Sequence, residues 1–84
     1  MQKSIHTPEQ KVLQDLLRQI RLEANITQVE MGRRLGKGQN FVSNYERGER
    51  LLDLIELDEV CKAAGVELVN FVKRFKGMTK PSLN

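Results

Sequence analysis

The stretch Thr27-QVEMGRRLGKGQNFVSNYERGE-Arg50 holds two short segments of helical pattern pinched around Gly36, Lys37 and Gly38. The first opens with Thr27 as cap and Glu30 as its reciprocal partner, carries Val29, Met31 and Leu35 as apolar contacts, and stops at Gly36. The second runs from about Gln39 to Arg47 and is ended by Gly48, the residue type best able to turn left-handed after a helix. Wound at about 100° per residue from Gln39, it places Ser43, Arg47, Asn40 and Asn44 on one arc, at about 40°, 80°, 100° and 140°. Phe41, Tyr45 and Val42 fall opposite, at about 200°, 240° and 300°. The segment therefore has an apolar back and an amide-rich front. An amide carries a donor beside an acceptor, which matches the paired edge of adenine in a DNA major groove, and a terminal arginine suits a phosphate.

Outside this stretch the chain also reads as helix, with no strand pattern and no internal repeat. A leading helix is expected from Thr7 as cap, Pro8 in the first turn and Gln10 completing a capping box, with Val12, Leu13, Leu16, Leu17 and Ile20 as its stripe and an end near Ala24. A fourth opens at Asp53 with Glu56 repeating the capping logic, turns Leu54, Leu57, Val60, Cys61 and Ala64 inward, and stops at Gly65. In the fifth, Leu68, Phe71, Val72 and Phe75 share one side. Residues 1–6 read as an N-terminal tail, 7–77 as one domain, and 78–84, beyond Gly77, as a flexible C-terminal tail.

Composition narrows the function. A chain of 84 residues makes one small domain. Nine basic and six acidic residues lie in 1–50 against five and five in 51–84, so the net charge of +3 is all N-terminal. That balance permits a polyanionic partner without requiring one. No apolar run suits a membrane span or a signal peptide, so a cytoplasmic location and no membrane partner are expected. Cys61 sits in an apolar helical pattern and reads as a small core residue, and His6 has no companion ligands, so neither a metal nor another cofactor is expected. No nucleophile stands beside a base, and "GRRLGKG" lacks both the preceding strand and the Ser/Thr ending of a phosphate loop. Asp53, Glu56, Asp58 and Glu59 fit capping and dipole compensation at a helix start. An enzyme is not expected.

From Val12 to Phe75 the residues resemble the helix-turn-helix repressors of the Cro and phage-repressor type, the Xre family. The Gln-opened second helix, the Gly-containing turn and the closing "ERG" of the stretch from Thr27 to Arg50 carry that resemblance. It implies an all-α fold, a compact five-helix bundle containing a helix-turn-helix, similar to the lambda-repressor DNA-binding domain. It also implies base reading by Gln39, Asn40, Ser43 and Asn44, with Thr27, Gln28 and Arg47 near the phosphate backbone and Lys37 as a further phosphate contact. The same resemblance sets Arg21 of the first helix beside Glu46 at the end of the third, as a structural ion pair. Two positions depart from the family pattern. Gly38 stands where many members cap the recognition helix with Ser or Thr, and Phe41 stands where many carry a smaller or polar residue. Phe41 is expected to pack on the second helix rather than touch a thymine methyl.

The function expected is that of a sequence-specific double-stranded DNA-binding transcriptional regulator, a repressor working as a homodimer on a palindromic operator. The fold equally serves the antitoxin of a toxin–antitoxin pair, with a cognate toxin as partner, or the controller protein of a restriction-modification system. A reading of another class is a protein-interaction module that binds no DNA. For the dimer interface, Val66, Val69 and one of Leu51 or Leu52 are apolar residues that a small core has no room to bury.

Overall fold

The computed structural model describes residues 7–79; His6, the rest of the 1–6 tail and residues 80–84 lie outside it. Five helices follow in order: α1 (Pro8–Glu23), α2 (Gln28–Leu35), α3 (Gln39–Glu46), α4 (Leu54–Ala63) and α5 (Leu68–Thr79). Among the described residues there is no strand.

Helix starts follow the expected chemistry in part. The Thr7 hydroxyl accepts from the Gln10 amide and the Thr27 hydroxyl from the Glu30 amide, each at 3.0 Å. Among the described helices, both halves of a capping box form only at α4, where Asp53 accepts from the Glu56 amide and Glu56 accepts from that of Asp53. Glu30 does not reciprocate at Thr27. Its carboxylate is taken by Arg33 and Arg34 one turn on, which hold its carboxyl down at about 2. A depressed carboxyl keeps its contribution at neutral pH and loses it only as pH falls below the ordinary carboxylate range. Arg34 also donates to the Ala63 carbonyl at 2.8 Å and so ties α2 to the end of α4.

Helix ends repeat one device. Gly36 is left-handed (φ 70°), its amide returns to Arg33 O at 3.1 Å and that of Lys37 to Gly32 O at 2.8 Å, the paired closure of a Schellman turn. The same pair of bonds closes α1 at Asn25, α3 at Gly48 and α4 at Gly65. Each turn is then tight enough to fold the next helix back onto the core. Gly77, expected as the last stop, lies inside α5, which continues to Thr79.

Every helix contributes to one core: Leu16, Leu17 and Ile20 of α1, Met31 of α2, Val42 and Tyr45 of α3, Val60 and Cys61 of α4 with Ala64 at its end, and Phe71 of α5. α2 packs chiefly on α3, α1 lies against α3 and α5, and α4 joins α2 to α5. Burial pushes the Cys61 thiol up to about 11, as suits a packed side chain. Three apolar residues assigned inward by periodicity are exposed instead: Val29, Val72 and Leu54, the last by 68%. Leu54 and Val29 sit in the first turns of α4 and α2. No helix among the described residues is long and apolar enough to cross a membrane.

Candidate nucleic-acid interface

α3 is placed by three contacts of different kinds. Its apolar back is buried through Val42 and Tyr45, and Phe41 packs beside them with its ring edge-on to Tyr45 at 5.6 Å. Its start is pressed against α2 at Gly32: a Cβ there would lie 2.8 Å from the Gly38 carbonyl oxygen and 2.9 Å from its carbon. Its end is gripped by an ion pair. Arg21 Nε donates to Glu46 Oε2 at 2.7 Å and Nη2 to Oε1 at 3.1 Å, while Nη1 donates to the Ile26 carbonyl at 3.0 Å. The two side chains are only 8% and 4% exposed. The carboxylate holds the Arg21 pKa above its ordinary value despite burial.

The grip extends outward through two amides. Gln28 Nε2 donates to Glu46 Oε1 at 3.1 Å, and Gln39 Nε2 donates to Gln28 Oε1 at 3.2 Å. A carboxylate can only accept, so Glu46 fixes which way the Gln28 amide faces, and Gln28 in turn fixes Gln39. Gln39 is left with its own oxygen and one N–H free of these bonds, the pair that adenine matches. Gln28 thus serves as the link between α2 and α3, beyond standing near the helix start.

The remaining residues of the front lie together. Gln39, Asn40 and Arg47 are exposed, and Ser43 and Asn44 are half-buried beside them. Arg47 does not point freely outward: its guanidinium donates to Ser43 Oγ, to Asn44 Oδ1 at 2.8 Å and to Glu49 Oε1 at 3.0 Å. Thr27 is spent on capping α2 yet remains exposed. Lys37 stands 5.3 Å from the Phe41 ring centre and Arg50 5.1 Å from it, so two cations flank the aromatic at the edge of α3. Gly38 gives no side-chain cap, as its composition dictates.

Of the residues expected at a partner surface, Leu51 and Val69 are exposed, whereas Leu52 and Val66 pack partly against the core. Sequence reasoning missed Gly32, the Gln28 link and Glu49. Gly32 carried a signal: glycine inside a helix costs about 1 kcal/mol relative to alanine, which calls for a close neighbour to explain it.

Residues 17–71 match the helix-turn-helix family, and the chain belongs to that family in its Xre type, a class of DNA-binding transcriptional regulators. An XRE-family like protein from Pseudomonas syringae pv. tomato is 40% identical, with 89% of this chain and 92% of that one covered and a TM-score of 0.81. A single-residue mutant of the restriction-modification controller protein C.Esp1396I is 25% identical over 88% of this chain and 95% of that one, with a TM-score of 0.77. The same controller protein, solved as a tetramer in complex with its natural 35 base-pair operator, is 22% identical over 86% and 95%, TM-score 0.77, a likeness of fold alone. No curated protein sequence matches the chain.

Proposed function

We propose that the chain is a repressor that lays α3 in the major groove of a palindromic operator and does so as a homodimer. The observation that carries this reading is the outward face of α3, uncharged hydrogen-bonding groups at Gln39, Asn40, Ser43 and Asn44, on a helix whose end is clamped to the scaffold by the Arg21–Glu46 pair. A solvated surface helix has no need of such a clamp. Base reading does, because a misplaced amide loses both of its bonds. Thr27, Gln28, Lys37 and Arg47 surround that face and are assigned to phosphates.

Selection of bound sequences from random duplex tests the assignment. Asn40→Ala or Gln39→Ala is expected to change the selected base at one position, at about 1–3 kcal/mol for the affected pair, and Arg47→Ala to weaken all duplexes alike and flatten the salt dependence by about one charge. An unaltered motif in the amide variants, or a loss confined to one base pair in Arg47→Ala, would remove these roles.

The homodimer is supported by an apolar face that α4 and α5 leave in solvent. Ile55 is 71% exposed and Val69 57%. Val66 and Val69 line an open hollow of about 350 Å³ together with Asp58 and Lys62, which lie one and two turns along α4 from Ile55. A two-fold pair of recognition helices also doubles the contacts and demands a second, correctly spaced half-site. Sedimentation at about micromolar concentration is expected to give a dimer for the parent and a monomer for Val69→Glu. A parent that stays monomeric on a two-half-site duplex, or a Val69→Glu protein that pairs normally, would exclude this face.

A restriction-modification controller is the second reading, favoured by the 25% identical likeness to C.Esp1396I over nearly its whole length. The two readings share the interface and differ in the genes controlled, so mapping the selected motif onto the promoter beside the chain's own gene separates them.

A further inference from the structure

Among the three partners of Arg47, Glu49 is one that no role in DNA recognition requires. Glu49 follows the turn that closes α3, and its backbone is fixed there: the Glu49 amide returns to Asn44 O at 2.8 Å, with Gly48 left-handed before it. This sets the Glu49 carboxylate against the Arg47 guanidinium, which bonds to it through Nη2 at 3.0 Å. The same Nη2 donates to Asn44 Oδ1, and Nη1 to Ser43 Oγ. One arginine thus lies folded along the front of α3, its positive charge met by Glu49 and its donors spent on two of the residues assigned to base edges. Their contact raises the Arg47 pKa and lowers that of Glu49.

We propose that Glu49 and Arg47 form a latch over Ser43 and Asn44, opened when a DNA phosphate takes the guanidinium from Glu49. The inference rests on the DNA-binding reading above. A phosphate offers the guanidinium the same two-oxygen geometry as the carboxylate, so the exchange replaces the bonds to Glu49 and gives up only those to Ser43 and Asn44. Leaving the helix face, Arg47 frees Ser43 Oγ and Asn44 Oδ1 for bases. Docking on the backbone and exposure of the reading groups are then one event. An exposed ion pair is weak, so the latch biases binding rather than blocking it. It also lowers the charge offered to any duplex, which restrains binding to DNA of arbitrary sequence.

The test compares the parent, Glu49→Gln, Arg47→Ala and the double variant on a selected duplex and a random duplex at several salt concentrations. Both side chains are exposed, so the variants keep the fold. Glu49→Gln is expected to bind both duplexes about two- to fivefold more tightly, with the salt dependence steeper by up to about one charge, and to lose this gain when Arg47 is absent. An unchanged affinity overturns the latch. An equal gain in the Arg47→Ala background overturns it too, since Glu49 would then act by repelling DNA directly. If the parent and Glu49→Gln bind no duplex even at low salt, the DNA-binding reading falls and takes the latch with it; a parent that binds while Glu49→Gln matches it removes the latch alone.

Discussion

Arg21→Ala and Glu46→Ala are each expected to lower the unfolding free energy by about 3–5 kcal/mol, and the double variant by far less than the two effects added. The reason is burial. With both side chains less than a tenth exposed, removal of either leaves a buried ion without its counter-charge, held only by the Gln28 bond to Glu46 or the Arg21 bond to Ile26 O. Removal of both leaves a cavity but no stranded charge. Arg21 also serves the Ile26 carbonyl in the turn before α2, so its loss reaches the α1–α2 connection as well. Urea denaturation of the four proteins gives the coupling, and near-perfect additivity would show that the two groups do not depend on each other. A double replacement by leucine-sized apolar residues separates stability from recognition: it is expected to restore much of the stability, because a buried ion pair adds little over apolar packing. It would still release Gln28 and Gln39 from their fixed orientation and blur the selected motif at the Gln39 position.

Gly32 gives the second large effect, and here two physical rules predict opposite signs. Helix propensity alone says that Gly32→Ala should stabilise α2 by about 1 kcal/mol. Packing says otherwise, since the new Cβ would sit 2.8 Å from the Gly38 carbonyl oxygen, a backbone atom held by the turn itself. Forcing that turn outward costs about 1–3 kcal/mol, so the net change in Gly32→Ala is a modest loss. Gly32→Val adds two methyl groups to the same gap and is expected to cost about 3 kcal/mol or more, a fall in Tm of about 15 °C for a domain of this size. Because the displaced element is the start of α3, DNA affinity should fall further than stability explains. Thermal melts of both variants decide the matter: a Gly32→Ala protein more stable than the parent would mean that α2 and α3 are not held by close backbone approach.

Much of this architecture is legible in the residues themselves. Helix periodicity with Thr27, Asp53 and Gly36 as punctuation gives all five elements, because caps and left-handed turns demand particular side chains. Asn25 ends α1 in the same way and is harder to see, since asparagine serves many other purposes. Exposure is less legible. On α4 the apolar residues Leu54, Ile55, Leu57, Val60, Cys61 and Ala64 cover more than half the circumference, and only the packing of α2 and α5 against it decides which remain in water. Gly77 fails as a stop because glycine ends a helix only where the chain turns left-handed, as it does at Gly36, Gly48 and Gly65 and not at Gly77. At the interface, residue types and helical spacing place the front of α3. Which amide faces which, and that Arg47 lies folded onto Ser43, depend on contacts between Gln28, Gln39, Glu46 and Glu49 that no single helical period records.

The proposed reading of DNA by α3 is tested most directly by an NMR titration of the labelled protein with its selected duplex. Amide and side-chain signals of residues 39–44, together with those of Thr27, Gln28, Lys37 and Arg47, are expected to shift most and to do so in step with binding. Shifts gathered instead on α4 and α5, with Gln39, Asn40, Ser43 and Asn44 unmoved at saturation, would contradict it.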